Sequence, residues 1–145
     1  MVILDSNILL YGHIPRFAQH TRVAGWIEGT LSSGTDVLGI TWQVATSFLR
    51  ISTNRRTFER PFDLDFAKQC LDNLFAHPQV SQVLPTRDHW EIYSRILVEQ
   101  NLTGDIVMDA HIAAMAVEHD AAVATVDKDF RRFSDYIKII DPLAG

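Results

Sequence analysis

The sequence predicts an α/β fold with a central, mostly parallel sheet. Short apolar runs with strand character alternate along the chain with longer segments whose apolar residues recur at helical spacing. Such alternation is typical of parallel strands that are joined by helices. The length of 145 residues suits one domain of ordinary size, and no internal repeat, low-complexity tract or linker divides it. We therefore expect a single domain over residues 1–145.

The first half of the chain contains two predicted strands. Residues 2–4 are a fully apolar run that ends at Asp5, as in a buried strand, and the pair Ser6-Asn7 provides a helix cap immediately afterwards. The second strand covers residues 37–40. Around and after it, apolar residues at a spacing of three and four predict amphipathic helices. These helices cover residues 18–31, 42–53 and 63–76.

The second half of the chain repeats the alternation of strands and helices. A third strand over residues 80–84 ends before Pro85, and Thr86 is placed to cap the helix that follows as far as Asn101. The turn at residues 103–105 leads into another helix. The remaining elements are a helix over residues 106–119 and strands over residues 122–125 and 137–140.

Charge and composition exclude several classes of protein. The formal net charge is −5, from 13 basic and 18 acidic residues, so extensive electrostatic wrapping of DNA is not expected. No apolar run approaches the roughly 20 residues of a membrane helix, and the N-terminus lacks the pattern of a signal peptide. Cys70 is the single cysteine, which excludes an internal disulfide framework and favours a cytoplasmic location.

Three aspartates are brought to one edge of the sheet by the predicted topology. Asp5 and Asp127 follow strands directly, and ligands of open α/β sheets bind at the carboxyl ends of the strands. Asp109 lies in the first turns of a helix that runs antiparallel to the strand after it, so it reaches the same edge. Each of them has a structural alternative, since Asp is common in helix caps and turns and is favoured at a helix N-terminus.

A cluster of carboxylates indicates a divalent cation. Two carboxylates at about 4 Å repel by roughly 4 kcal/mol at an effective dielectric near 20, and a cation removes that cost. Oxygen ligands without cysteine select Mg²⁺ or Mn²⁺, which in turn indicate phosphate chemistry. The chain lacks a phosphate-binding Gly-rich loop, and Asn7 stands where a phosphatase with an aspartyl nucleophile has a second Asp.

Arginines and one histidine have two interpretations each. Arg50, Arg55, Arg56 and Arg60 fall within eleven residues and are either phosphate-binding groups or part of a solvated loop. His111, two residues after Asp109, either supports the acidic site or is a histidine at the edge of the core.

Three segments of the sequence resemble PIN-domain ribonucleases, most closely the toxins of VapBC-type toxin–antitoxin pairs. They are Val-Ile-Leu-Asp-Ser-Asn at 2–7, Gly-Asp-Ile-Val-Met-Asp-Ala-His-Ile-Ala-Ala at 104–114 and Thr-Val-Asp-Lys-Asp-Phe at 125–130. The stretch from Thr41 to Asn54 also resembles the family. The resemblance spans the chain in the right order and implies a PIN-like three-layer α/β/α architecture.

The resemblance implies the roles of individual residues. Asp5, Asp109 and Asp127 would form the catalytic, metal-binding acids, with Ser6 and Thr125 as hydroxyl positions beside them. Asp129 would be an accessory acid. The sequence departs from the family at Ser47, where a Glu is common, so that one ligand is missing or is supplied by Asp105 or Asp129.

The expected function is that of a Mg²⁺- or Mn²⁺-dependent endoribonuclease toxin acting on single-stranded regions of RNA. The family implies a cognate VapB-like antitoxin and a homodimer, for which Trp26, Phe48, Phe58 and Phe62 are candidate interface residues unless they belong to the core. The alternative is a catalytically impaired PIN-like module that binds RNA or a protein, because Ser47 replaces the Glu.

Overall fold

The protein, described from a computed structural model, contains a five-stranded sheet in which every pair of neighbouring strands is parallel. The structure describes residues 1–144. The strands are β1 (Val2–Leu4), β2 (Leu38–Thr41), β3 (Val80–Val83), β4 (Ala122–Ala124) and β5 (Ile139–Ile140). Their order in the sheet is β3-β2-β1-β4-β5, so the chain changes direction across the sheet after β3. The resulting switch point lies between β1 and β4.

Six helices connect these strands in two groups. They are α1 (Ser6–His13), α2 (His20–Ser33), α3 (Trp42–Ser52), α4 (Leu64–Ala76), α5 (His89–Glu99) and α6 (Ile106–Glu118). The first four pack on one another, and α5 packs on α6. Because crossovers between parallel strands are right-handed, the change of direction after β3 puts the two groups on opposite faces of the sheet. The predicted three-layer α/β/α fold is confirmed.

The core is continuous through the central strands. All three residues of β1 are buried, as expected of a parallel strand that is covered on both faces. Small side chains on α6, among them Ala113 and Ala116, are completely buried. Phe48 is also fully buried, which confirms for this residue the alternative that it belongs to the core and not to an interface. Trp26, Phe58 and Phe62 are partly buried and pack against the same core.

Several predicted boundaries differ from the structure. The final strand has two residues rather than four, and a short 3-10 helix, Lys128–Phe133, follows Asp127 where no helix was expected. Thr86 does not cap α5, which starts only at His89. Instead, its backbone N–H and its hydroxyl donate to Glu118 Oε1 on α6, at 2.8 and 2.9 Å. Helix propensity does not reveal such a long-range acceptor.

Gly39 sits where the central strands leave no room for a side chain. A Cβ atom built on it lies 2.6 Å from Cγ2 of Val83 and 3.2 Å from Cγ1 of Ile3. A Cβ atom placed on Gly29, in α2, would have no such neighbour within 4 Å. The two glycines therefore differ in the space around them.

We expect Gly39→Ala to lower the free energy of unfolding by about 1–3 kcal/mol, because the added methyl group overpacks the sheet. Gly29→Ala is the matched control and should raise stability by about 0.5–1 kcal/mol through helix propensity. Urea denaturation of both variants measures the difference. Wild-type stability in Gly39→Ala would contradict the close packing.

Candidate metal-binding and catalytic site

Asp5 is a buried carboxylate at the carboxyl end of β1. Its side chain caps α1, because the backbone N–H of Ser6 donates to Oδ1 at 2.7 Å. The cap is therefore formed by Asp5 rather than by Ser6 and Asn7. Burial raises the pKa of Asp5 and the charge of Asp127 adds to the rise, while hydrogen bonds from Thr125 and Ser6 oppose it. The capping role uses one oxygen and leaves Oδ2 directed at β4.

Thr125 connects Asp5 to the neighbouring strand. Its hydroxyl donates to Asp5 Oδ2 at 2.8 Å and accepts the backbone N–H of Asp127 at 3.0 Å. The amide nitrogen of Asn7 donates to the same Oδ2 at 3.1 Å. From the sequence, Asn7 was expected in a helix cap and as the residue that excludes an aspartyl phosphatase, and its place in this network was missed. The network holds the ends of β1 and β4 in a fixed relation across the switch point.

Asp127 begins the segment that follows β4. It is exposed, and its Oδ1 accepts the backbone N–H of Asp129 at 2.9 Å. The predicted turn or cap is therefore present, and it orients both exposed acids beside the end of the strand.

Asp109 lies in the first turn of α6 and is half-buried. Burial is the largest cause that raises its pKa, to about 7, followed by the charges of Asp5, Asp127 and Asp129. Arg132 lowers it. Acids from three separate parts of the chain thus influence one another's ionisation. A basic group near them, Arg132, was not singled out from the sequence.

Asp105 and Ser47 stand apart from the hydrogen-bond network of Asp5. Asp105 is exposed at the start of α6 and forms no side-chain cap there. Ser47 is half-buried on α3, one turn after Gln43. The side-chain amide of Gln43 donates to the carbonyl of Met108 at 3.1 Å. Because residues i and i+4 share a helix face, Ser47 lies on the face of α3 whose first turn touches the first turn of α6.

The predicted arginines lie at the far end of α3. Arg50 is in its last turn, about 10 Å along the axis from Gln43, and Arg55, Arg56 and Arg60 follow in exposed turns. The guanidinium of Arg16 donates to the carbonyl of Arg60 at 2.7 Å.

The chemistry of this donor set suits a hard divalent cation. Carboxylate oxygens are the ligands that Mg²⁺ and Mn²⁺ prefer. Burial is the main cause that raises the pKa of Asp109, and the repulsion by like charges that adds to the rise would be relieved by a cation. Within residues 1–144, however, no three His, Cys, Asp or Glu side chains are already arranged to hold one ion. Ligation by three acids therefore requires side-chain movement, which the exposed Asp127 and Asp129 permit.

These features define a parallel α/β protein with a carboxylate cluster at its switch point. A family model described as PIN domain matches residues 2–136. The chain belongs to the PIN domain family. It is 36% identical over 133 residues to Ribonuclease VapC37 of Mycobacterium tuberculosis, covering 92% of each chain. It is also 34% identical over 143 residues to Ribonuclease VapC31 of that species, covering 99% of this chain and 100% of the relative.

Solved structures share the fold. VapBC-1 from nontypeable Haemophilus influenzae matches with a TM-score of 0.68 at 20% identity, over 99% of this chain and 100% of that chain. VapBC2 from Rickettsia felis, bound to a DNA fragment from its promoter, matches with a TM-score of 0.68 at 16% identity, over 97% and 98% of the two chains. None of the helices in residues 1–144 is long and apolar enough to cross a membrane.

Asp109→Asn tests the electrostatics of the cluster. Since the folded state holds the proton of Asp109 more tightly than the unfolded chain, wild type should lose stability between about pH 4 and about pH 7. We expect Asp109→Asn to lack the contribution that ionisation of Asp109 makes to this loss of stability. Above about pH 7 and without divalent ions, the free energy of unfolding of the variant should exceed that of wild type by about 1–2 kcal/mol. Solvent screens part of the repulsion, because the side chain is half-buried.

Urea denaturation in the presence of a chelator, repeated across this pH range, measures the effect. Asp65→Asn is the control, because Asp65 is an exposed acid in the first turn of α4. It should follow the wild-type pH dependence. If Asp109→Asn follows it too, the acids do not repel one another as described.

Proposed function

We propose that this chain is a divalent-metal-dependent endoribonuclease toxin that cleaves single-stranded regions of RNA. Membership of the PIN domain family and full-length similarity to proteins named as VapC ribonucleases support the proposal. The observation that carries it is the meeting of acids at the switch point: the Thr125 hydroxyl donates to Asp5 Oδ2 and accepts the backbone N–H of Asp127, and the charges of both acids add to the burial that raises the pKa of Asp109 on α6. Perturbed ionisation of this kind is common at catalytic sites.

Asp5, Asp109 and Asp127 would hold the Mg²⁺ or Mn²⁺ ion, with Asp129 beside them. Bound there, the ion would orient a phosphate and lower the pKa of an attacking water. Asp5 is the fixed member, since hydrogen bonds from Ser6 and Thr125 hold its carboxylate. Protons and cations compete for Asp109, so metal affinity should rise as the pH passes through about 7.

The chain's own groups supply the remaining steps. One carboxylate of the cluster would accept the proton of the attacking water. Arg132 is the basic group whose charge reaches Asp109, which makes it a stronger candidate for a phosphate contact than the arginines at the far end of α3. Arg50, Arg55 and Arg56 would contact more distant phosphates of the RNA.

The partners of this toxin would be a VapB-like antitoxin and a second copy of the chain. The similarity of the fold to VapBC complexes supports the antitoxin. Exposed large apolar side chains provide surface for such contacts, among them Leu64, Phe66 and Trp90.

A second candidate is a catalytically impaired PIN-like module that binds RNA or protein. Ser47 in place of the family's usual Glu, and the lack of a preformed group of three ligands in residues 1–144, favour it. Thermal melting with and without Mn²⁺ separates the two candidates, because only an ion that binds the folded state raises the melting temperature.

Cleavage of defined single-stranded RNAs, with mapping of the ends, tests the first candidate. We expect wild type to cut only with Mg²⁺ or Mn²⁺ and Asp127→Asn to be slower by about 100-fold, since it loses a metal ligand. Asp127 is exposed, so the variant should fold. Asp65→Asn serves as the control. Unchanged cleavage by wild type in a chelator would exclude metal-dependent catalysis.

Ser47→Glu tests whether one ligand is missing. We expect the new carboxylate to tighten Mn²⁺ binding by about tenfold, because position 47 lies on the face of α3 that meets α6. Wild type should bind Mn²⁺ better than Mg²⁺, which demands stricter octahedral geometry. Calorimetric titration measures both affinities. Thr46→Glu is the matched control, since Thr46 is an exposed neighbour on another side of α3. Equal or weaker affinity in Ser47→Glu would mean that Asp105 or Asp129 already completes the ligands.

A further inference from the structure

A cavity of about 410 Å³ opens at the carboxyl edge of the sheet, beside the acidic cluster but outside it. It lies past the ends of β2 and β3, between α3, α5 and α6. Its volume is in the range of small-molecule sites, about 300–1,000 Å³. The walls are mostly apolar and aromatic, and include Trp42, Gln43, Pro85, Tyr93, Met108 and His111.

This cavity shares a wall with the acidic cluster. Met108 lines the cavity and directly precedes Asp109 in α6, and the hydrogen bond from Gln43 to Met108 joins two of the walls. Met108 and His111 share a face of α6 at a spacing of three residues, and Asp109 points about 100° away from Met108 around the helix. Because Met108 and Asp109 are adjacent in α6, an extended polymer bound at the acids would pass the mouth of the cavity.

Two side chains that could stack on a flat ligand lie at the mouth of the cavity, and about half of the surface of each is exposed. Trp42 is 52% exposed and Met108 is 54% exposed. Exposed apolar surface that adjoins a cavity is a feature of ligand-binding grooves. Aromatic side chains are the surfaces on which unpaired nucleobases stack.

The cavity wall also includes one imidazole ring, that of His111. Nδ1 of His111 is buried and forms no hydrogen bond; across residues 1–144, Ser52 Oγ is the other side-chain atom in this condition. The hydroxyl of Tyr93 already donates to the carbonyl of Val107 at 2.8 Å. A nucleobase carries donors and acceptors on its edge that can meet the imidazole of His111 in the cavity wall, whereas an apolar peptide side chain carries none.

We propose that this cavity binds one unpaired nucleobase of the RNA substrate, next to the phosphate that lies at the acidic cluster, and thereby determines base preference. Trp42 and Met108 stack on the base, and His111 contacts its edge. This inference rests on the proposed function, because the occupant is the substrate of the neighbouring site.

Tryptophan fluorescence tests the binding without cleavage. The protein carries three tryptophans, so a full-length Trp26→Phe, Trp90→Phe variant that also carries Asp127→Asn reports on Trp42 alone. The probes are short single-stranded ribo-oligonucleotides of each base and an abasic oligonucleotide of equal length. We expect saturable quenching by at least one base-bearing probe and about 5- to 100-fold weaker binding of the abasic probe. Equal quenching by both, or quenching by an apolar peptide alone, overturns the proposal.

Cleavage patterns give the second measurement. Trp42→Ala and Met108→Ala should change which bases flank the cleaved bond, with a larger effect on KM than on kcat. Val98→Ala is the control, because Val98 is 80% exposed and does not line the cavity. Normal cleavage with unchanged base preference in both cavity variants overturns the inference and leaves the nuclease function standing. Base-dependent quenching without any cleavage by wild type supports the cavity and rejects the nuclease function.

Discussion

The hydrogen bond from the Thr125 hydroxyl to Asp5 Oδ2 is the contact on which the site depends. It is buried, it joins residues 120 positions apart, and it ties the end of β1 to the end of β4 at 2.8 Å. A buried carboxylate without donors would cost several kcal/mol, so Asp5 can remain inside only because Thr125, Asn7 and Ser6 donate to it. The same hydroxyl accepts the N–H of Asp127, and thus one side chain positions acids on two strands.

Keeping the acids near one another beside this contact costs electrostatic free energy. Asp109 is half-buried at the head of a helix packed on the core, and it faces the charges of Asp5, Asp127 and Asp129. The N-terminus of α6 stabilises an acid at its first turn, yet the pKa of Asp109 still rises to about 7. Burial is the largest cause of this rise, and the like charges add to it. Such an arrangement does not favour stability in the absence of a cation, which supports the proposed metal-binding role.

Most of the fold, but only part of the site, could be predicted from the sequence. Apolar runs ending in Asp5 and Asp127 revealed the strands, because parallel strands covered on both faces read as continuous apolar segments. Asn7, Gln43 and Arg132 were not assigned to the site, since their place in it comes from interactions with residues far away in the chain. The 3-10 helix after Asp127 was missed for a related reason: its start depends on the Asp127 side chain accepting the N–H of Asp129. The spacing of apolar residues in the sequence indicates which side chains are buried, but it does not indicate side-chain hydrogen bonds of this kind.

The carboxyl edge of the sheet thus contains two unlike environments side by side. Over β1 and β4 it is acidic and hydrogen-bonded, and past β2 and β3 it is apolar, with Trp42 and Met108 at the mouth of a cavity. Helix α6 separates them, since successive residues Met108 and Asp109 face different sides. A phosphodiester chain has the same two-sided character, with charged phosphates along one side and flat bases along the other. In the proposed nuclease, one helix turn would therefore hold a phosphate on one side and contact the adjacent base on the other.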